Sequence, residues 1–224
     1  MNDYDFTISS YCNAACPSCK RHLNYLTTSD NTPVNPALEQ IHMPYLSFEN
    51  IIKNNDEFRN SNVSFEGEFG DPIIHPDITK FIHLGSRTFS RLDIVTNGGL
   101  RKPEWYAKIG NEYSNVYFTF SIDGLIDETN LYRVNVNTKK AIDNLIAYKQ
   151  TKYGKSNHQW KYIVFEHNAH EIQDVVNFAS ERDLNVSFKI NVLPRYKIKQ
   201  NSLQKVNDIL SKTNYSNDKA FGEL

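Results

Sequence analysis

The chain has 224 residues, the length of a single domain. Hydrophobic residues make up 39% of it and aromatic residues 12%, which is enough for a sizeable core and excludes a disordered chain. The 25 basic and 26 acidic residues give a formal net charge of -1, which excludes a uniformly basic chain that binds nucleic acid or anionic membranes through charge alone.

Targeting and membrane signals are missing from the sequence. No apolar run approaches the roughly 20 residues that a membrane-spanning helix needs. The first residues, Met-Asn-Asp-Tyr-Asp, have neither the basic start nor the apolar stretch of a signal peptide. We therefore expect a cytoplasmic protein without a membrane partner, and we do not expect it to bind nucleic acid.

Six segments have the character of β-strands, and helical patterns lie between them. In chain order the predicted strands are residues 5–9, 62–66, 91–95, 115–122, 161–165 and 186–190; the run at 161–165 is nearly continuously apolar, and the other five alternate apolar with polar residues. Ser47 is the predicted N-cap of the first helix. Four apolar stripes predict helices: Phe48, Ile51 and Ile52; Ala141, Ile142, Leu145 and Ile146; Ile172, Val175, Val176 and Ala179; Leu203, Val206 and Leu210. Alternating strands and helices favour an α/β domain with a parallel sheet.

The alternation gives five of these strands one polar face. Its members are Thr7, Ser9, Ser64, Glu66, Asp93, Tyr117, Thr119, Ser121, Ser187 and Lys189. A closed barrel fills its interior mainly with aliphatic side chains, and a doubly wound sheet is apolar on both faces. The pattern therefore favours a curved, partial (β/α)6 barrel with a wet concave side and a site at the C-terminal rim of its strands. A sheet with one face in water is the alternative.

We expect residues 1–200 to form the core and residues 201–224 to form a C-terminal helix and a polar tail. Within the core, residues 20–44 are a long polar stretch with prolines at 33, 36 and 44. A stretch of this length without regular structure is typically a functional lid or a disordered excursion. We predict a lid loop here.

The 3 cysteines of the chain lie within eight residues of each other, at Cys12, Cys16 and Cys19. Spacings this short close almost no loop, so they are a poor disulfide framework. Three thiolates can hold three corners of a 4Fe–4S cluster and leave the fourth iron open. They can also form a closed Cys3His zinc site, because His22 follows Cys19 by three residues.

The spacing Cys-x3-Cys-x2-Cys after a first strand resembles that of the radical S-adenosylmethionine (radical SAM) enzymes. Further segments resemble the family's motifs in the same order, each near the end of a predicted strand. They are Gly70-Asp71-Pro72, Thr96-Asn97, Ser121 with Asp123, Arg133, and Phe165 with Asn168. The resemblance implies that these positions contact S-adenosylmethionine. Two departures are that Asp71 stands where glutamate is common, and that Ser18 stands where the family often has an aromatic residue.

The resemblance also implies a cofactor set and a reaction. One 4Fe–4S cluster, held by the three cysteines, reductively cleaves S-adenosylmethionine to a 5′-deoxyadenosyl radical, which abstracts hydrogen from a peptide side chain or a small metabolite. An external one-electron donor such as a flavodoxin or a ferredoxin, and sensitivity to oxygen, are implied as well. No cysteine follows Cys19, so we expect a core without the cysteine-rich auxiliary-cluster domain of many relatives.

Candidate catalytic residues come from the polar face of the predicted sheet. Tyr117 is a candidate hydrogen-atom donor, since no cysteine is left for that role. Glu66 and Lys189 have opposite charges and are candidate contacts to substrate or to the methionine moiety; a structural ion pair between them is the alternative. The competing function is a non-enzymatic zinc-binding module built on the three cysteines and His22.

Overall fold

A computed structural model describes residues 3–23, 25–26, 33–66, 68–126 and 131–217. Its strands are β1 (Asp3–Asp5), β2 (Asn62–Phe65), β3 (Arg91–Thr96), β4 (Val116–Ser121), β5 (His158–Val164), β6 (Val186–Ile190) and β7 (Ser216–Asn217). Its α-helices are α1 (Tyr45–Asn54), α2 (Ile78–Thr88), α3 (Pro103–Glu112), α4 (Thr138–Lys149), α5 (Ile172–Glu181) and α6 (Gln200–Leu210). Short 3-10 turns span Asp56–Phe58, Pro72–Ile74 and Ala169–Glu171.

The strands form one open sheet in the order β1-β2-β3-β4-β5-β6-β7, with every neighbouring pair parallel. From β2 onward, an α-helix connects each strand to the next. The α/β partial-barrel fold predicted from the sequence is thereby confirmed. All carboxyl ends of the strands lie at one edge, where the connecting loops can build a site.

The apolar side of each strand packs against the helices, as the alternation predicts. Residues such as Val63, Leu92 and Phe118 are almost completely buried. Aromatic side chains of the helices and strands pack against each other in this layer. The ring centroids of Phe48 in α1 and Phe81 in α2 are 4.8 Å apart, and those of Phe118 in β4 and Tyr148 in α4 are also 4.8 Å apart. Each buried aromatic side chain contributes about 1.5–3 kcal/mol relative to exposure, so this layer holds the sheet rigid.

The predicted first strand, 5–9, is wrong in its bounds, because β1 ends at Asp5. Phe6 N–H still donates to the Ser64 carbonyl oxygen of β2 at 2.8 Å, and from Ile8 onward the chain pairs with residues 39–43. Met43 N–H donates to the Ile8 carbonyl oxygen at 2.9 Å, and Ser10 N–H donates to the Ile41 carbonyl oxygen at 3.0 Å. The described part of the 20–44 segment therefore packs on the chain that leads into the cysteines. Whether it acts as a lid stays a prediction.

Two helices, α2 and α3, are missing from the four predicted stripes. The inner face of each includes a glycine, Gly85 in α2 and Gly110 in α3, which does not count as an apolar residue. A Cβ atom on Gly110 would lie 2.1 Å from Thr151 Oγ1, so the helix backbone approaches its neighbour too closely for any side chain. In α3 this close packing leaves only Tyr106 and Ile109 in the apolar stripe, whereas α2 has the full stripe Ile78, Phe81 and Ile82, which the four predicted stripes do not include.

No helix in the described residues combines the length and the apolar character that crossing a bilayer requires.

Candidate functional site

The three cysteines line one cavity of about 130 Å³ at the carboxyl end of the sheet. All three thiols are free, and Cys16 is buried. The other lining residues come from the cysteine segment itself, from the loop after β2, and from the ends of β3 and β4 with the loops that follow them: Ala14 and Arg21; Gly70 and Asp71; Val95, Thr96 and Asn97; Ser121 and Arg133. Six of the ten predicted cofactor contacts therefore meet at the cysteines: Gly70, Asp71, Thr96, Asn97, Ser121 and Arg133.

The cavity walls favour protonated thiols while no metal is bound. Burial raises the pKa of Cys12 to about 11 and that of Cys16 to about 12. Arg21 opposes this rise at Cys12, and Arg133 opposes it at Cys16, through their positive charge. A bound metal deprotonates its thiol ligands, so the two guanidinium groups stand where thiolate charge would develop.

Two hydrogen-bond donors are directed at the sulfur of Cys12. The Ala14 backbone N–H lies 3.3 Å from Cys12 Sγ, and Asn97 Nδ2 lies 3.7 Å from it. Asn97 Nδ2 also donates to Asn13 Oδ1 at 2.9 Å, which fixes its amide orientation. Donors of this kind orient thiolate ligands and tune a cluster. The residues present therefore fit a thiolate-bound iron–sulfur cluster.

Gly70 brings the loop after β2 against the chain that leads into the cysteines. A Cβ atom at this position would lie 2.1 Å from the carbonyl oxygen of Ser9 and 2.7 Å from that of Tyr11. Only glycine allows so close a backbone approach. The Asp71 N–H, next in the chain, donates to the Tyr11 carbonyl oxygen at 2.8 Å.

Asp71 uses its buried carboxylate within the protein. Its oxygens accept hydrogen bonds from Ile73 N at 3.0 Å, Thr96 Oγ1 at 3.0 Å and Asn97 N at 2.8 Å. The carboxylate thus caps the turn Pro72–Ile74 and ties it to the end of β3. Burial raises the pKa of Asp71, and these hydrogen bonds act in the opposite direction. Asp71 thus holds the cavity wall together, and its contact with S-adenosylmethionine stays a prediction.

Four predicted contacts do not line the cavity: Pro72, Asp123, Phe165 and Asn168. Asp123 is fully buried, and its Oδ2 lies 2.8 Å from Arg133 Nε. Burial raises the pKa of Asp123, and the Arg133 guanidinium opposes that rise. This ion pair holds Arg133 at the edge of the cavity.

Phe165 and Asn168 stabilise the end of β5. The Phe165 ring is buried and lies 4.6 Å from the Tyr132 ring, between centroids. Asn168 Oδ1 accepts a hydrogen bond from Phe165 N at 2.7 Å, and its Nδ2 donates to the carbonyl oxygens of Asp123 at 2.8 Å and Ile163 at 3.0 Å. These bonds join the ends of β4 and β5.

His22 does not line the cysteine cavity. Its ring is buried, and its backbone pairs with Val34 in an antiparallel bridge. Among the described residues, no three His, Cys, Asp or Glu side chains converge on a point that could hold a single metal ion. In a 4Fe–4S cluster each cysteine thiolate binds a different iron. The three sulfur ligands therefore stand further apart than the ligands of a single zinc ion. The arrangement thus does not favour the zinc site.

None of the predicted catalytic candidates lines the cysteine cavity. Glu66 lines a second cavity on the polar face of the sheet, whereas Tyr117 and Lys189 line neither cavity. No ion pair joins Glu66 to Lys189 in the described part of the chain. Tyr117 lies under Arg91, with the guanidinium carbon 3.6 Å from the ring centroid.

Sequence reasoning missed Arg21. This residue lies two positions after Cys19, is only 5% exposed, and lines the cavity with the thiols. Its guanidinium Nε is buried without a hydrogen-bond partner among the described residues. A basic residue directly after three clustered cysteines was the available signal, because thiolate charge calls for a nearby cation.

No family model and no curated protein matches the sequence, whereas solved structures match its fold. Streptococcus suis SuiB, solved with S-adenosylmethionine and with its precursor peptide SuiA, superposes with a TM-score of 0.69 at 15–16% identity, over 98% of this chain and 48–50% of SuiB. The enzyme anSMEcpe with bound AdoMet gives 0.67 at 19% identity, over 94% of this chain and 57% of its own. TYW1 with a lysine-pyruvate adduct gives 0.57 at 14% identity, over 92% and 70%.

The chain thus spans about half the length of SuiB. SuiB, anSMEcpe and TYW1 are radical SAM enzymes. The resemblance predicted from the cysteine motif is therefore confirmed at the level of the fold: this chain has the partial-barrel fold of the radical SAM enzymes.

Proposed function

We propose that this chain is a radical SAM enzyme. Cys12, Cys16 and Cys19 hold three irons of a 4Fe–4S cluster, and S-adenosylmethionine binds at the fourth. When bound, the reduced cluster supplies the electron that cleaves S-adenosylmethionine to a 5′-deoxyadenosyl radical, which abstracts hydrogen from the substrate. An external one-electron donor such as a flavodoxin or a ferredoxin provides that electron.

The observation that carries this proposal is the meeting of three free thiols with two cationic side chains at the carboxyl edge of the sheet. Arg21 and Arg133 offset thiolate charge, and Asn97 with the Ala14 N–H donates hydrogen bonds to sulfur. The fold adds support, because SuiB and anSMEcpe, which have it, bind S-adenosylmethionine.

The substrate is a peptide side chain or a small metabolite. SuiB is known with the precursor peptide SuiA, and anSMEcpe with the peptide Cp18Cys, so the same fold serves peptide substrates. The Asp123–Arg133 pair and the Asn168 bonds keep the ends of β4 and β5 in place around the reacting groups. Rigid positioning and exclusion of water are what the protein contributes to chemistry of this kind.

The test is anaerobic reconstitution with iron and sulfide, followed by reductant and S-adenosylmethionine. We expect 5′-deoxyadenosine by mass spectrometry from the native chain and from Ser18→Ala, a neighbouring buried change that spares the thiols. Cys16→Ala should abolish the product. A loaded cluster that yields no 5′-deoxyadenosine, or turnover of S-adenosylmethionine that survives Cys16→Ala, would overturn the proposal.

The zinc module makes opposite predictions. It requires a colourless protein with one zinc ion per chain and a loss of that zinc on His22→Ala. The position of His22 outside the cysteine cavity speaks against it. Metal analysis of the purified protein separates the two functions directly.

A further inference from the structure

The polar face of the sheet lines a second, open cavity, of about 400 Å³, next to the cysteine cavity. Side chains of β3, β4, β5 and β6, together with those of β2 and the residue after it, line this polar cavity. Val95 lines both cavities, and Ser121 of the cysteine cavity is the cross-strand partner of Lys161 in the polar cavity. The volume lies within the range of small-molecule sites. A ligand here would lie beside the cysteine site.

The charges of the polar cavity sum to zero, but only half of them are paired. Arg91 and Asp93 form a bidentate ion pair, with Nε–Oδ2 and Nη2–Oδ1 distances of 2.6 Å each. Glu66 and Lys161 have no hydrogen bond or ion pair to another side chain in the described part of the chain. The cavity thus offers a ligand one free carboxylate and one free ammonium group.

Two hydroxyl groups in the cavity wall are also without partners. Ser64 Oγ and Ser187 Oγ are both buried and make no hydrogen bond among the described residues, and Ser187 is only 3% exposed. A buried polar group that lacks a partner costs about 1–3 kcal/mol, so native cavities rarely keep one idle. These hydroxyls are available to bond with polar groups of a ligand or with water in this open cavity.

The two free charges lie on opposite sides of the polar cavity. Glu66 follows β2 and Lys161 is in β5, three strand spacings apart, or roughly 14 Å along the sheet. The curvature of the sheet and the length of the two side chains shorten the gap. The remaining gap between the carboxylate and the ammonium group fits a small molecule whose own two charges are a few atoms apart.

We propose that the polar cavity binds a small zwitterion, with its ammonium group at Glu66 and its carboxylate at Lys161. The inference rests on the proposed function, whose substrate it assigns to the free amino-acid class. A nucleotide or another phosphate would need a net positive cavity, and an apolar substrate would find only Val95 among nine lining residues. Ser64 lies on β2 beside Glu66, and Ser187 is the cross-strand partner of Lys161, so each serine binds a polar group at one end of the ligand.

The test is calorimetric titration of the full chain with three probes of one carbon skeleton: 5-aminopentanoate, pentylamine and pentanoate. We expect only the zwitterion to bind. Glu66→Gln and Lys161→Met should each weaken it about ten-fold or more, the effect of losing one charge-assisted hydrogen bond. The exposed changes Glu104→Gln and Lys205→Met are matched controls and should leave binding unchanged. Melting temperatures equal to that of the native chain verify that the variants fold.

Three outcomes would overturn the inference: equal binding of all three probes, zwitterion binding that survives both cavity variants, or binding of the neutral dipeptide N-acetyl-alanyl-alanine amide in place of the zwitterion. The titration is run with and without the reconstituted cluster, so it does not depend on radical chemistry. Zwitterion binding without 5′-deoxyadenosine would refute the proposed function alone. Formation of 5′-deoxyadenosine without zwitterion binding would refute the zwitterion site alone.

Discussion

Asn168 occupies a fully buried position where each polar atom of its amide has a partner. Its Oδ1 accepts from Phe165 N, and its Nδ2 donates to the carbonyl oxygens of Asp123 and Ile163 at 2.8 and 3.0 Å. Asn168→Asp keeps the shape but replaces this donor with a carboxylate oxygen. Two buried carbonyl groups then lose their partner and face negative charge.

The expected cost of Asn168→Asp follows from that geometry. Each orphaned carbonyl costs about 1–3 kcal/mol, so the free energy of unfolding should fall by about 2–6 kcal/mol. This is a large part of the about 5–15 kcal/mol that a domain has in total. Urea unfolding followed by circular dichroism should show a midpoint lower by about 1 M or more.

A matched control is Asn177→Asp on the exposed face of α5, where the side-chain oxygen accepts a hydrogen bond from Gln173. That change should stay within about 0.5 kcal/mol. The deficit of Asn168→Asp should also shrink between about pH 8 and pH 5. Burial raises the folded-state pKa of the new carboxyl group, so the folded variant takes up a proton before the unfolded chain does. Equal midpoints for the two variants would refute the structural role of Asn168 and favour a direct ligand contact.

Three further changes test other parts of the molecule. Gly70→Ala places a methyl group 2.1 Å from the Ser9 carbonyl oxygen, so we expect a cost of about 1–3 kcal/mol or more and reduced iron incorporation after reconstitution. Arg133→Met leaves the buried carboxylate of Asp123 unpaired and should lower the free energy of unfolding by about 3–5 kcal/mol in a urea titration. His158 has a pKa lowered by burial, so the unfolded chain takes up its proton first and stability should fall as pH drops below about 6.5, measured as the free energy of unfolding between about pH 7.5 and 5.5.

Each of these has its own control. Gly85→Ala meets only the ends of the Phe89 and Leu92 side chains and should leave iron incorporation intact. Adding Asp123→Asn to Arg133→Met should recover part of the lost stability; no recovery would show that the two charges are not coupled. His158→Gln should reduce the slope of the pH dependence but not abolish it, because burial also lowers the pKa of His22, His75 and His167; an unchanged slope would contradict the assignment.

The positions that could be predicted from sequence follow simple periodicities. The period of two in segments such as Val63–Phe65 separates the buried face from the polar face and so predicts the partial barrel. The motifs after β2, β3 and β4 reach the cysteines because parallel strands bring their carboxyl ends to one edge. Gly70, Thr96, Asn97 and Ser121 therefore lie where this rule puts them.

What could not be predicted depends on contacts between distant segments. Nothing local to Asp71 shows that its carboxylate is used by Thr96 and Asn97, 25 and 26 residues further on. The same holds for Asn168, whose partner Asp123 lies 45 residues away. Residues of a motif can thus also hold together the structure around a site.

The β5 strand shows a different limit. The predicted run, 161–165, was selected for its apolar residues, and the observed strand is His158–Val164. The three residues before that run bring Gln159 onto the polar face next to Lys161, where both line the polar cavity. An apolar run marks only part of a strand that is wet on one side, because the polar residues of that strand carry no such signal.

The central claim is that three thiolates bind a cluster and leave one iron open to S-adenosylmethionine. Electron paramagnetic resonance of the reduced, reconstituted chain, with and without S-adenosylmethionine, tests it most directly and needs no substrate. We expect a 4Fe–4S signal that changes when S-adenosylmethionine is added and is lost in Cys12→Ala. A chain that takes up no iron, holds one zinc ion, or gives a cluster signal unaffected by S-adenosylmethionine would contradict it.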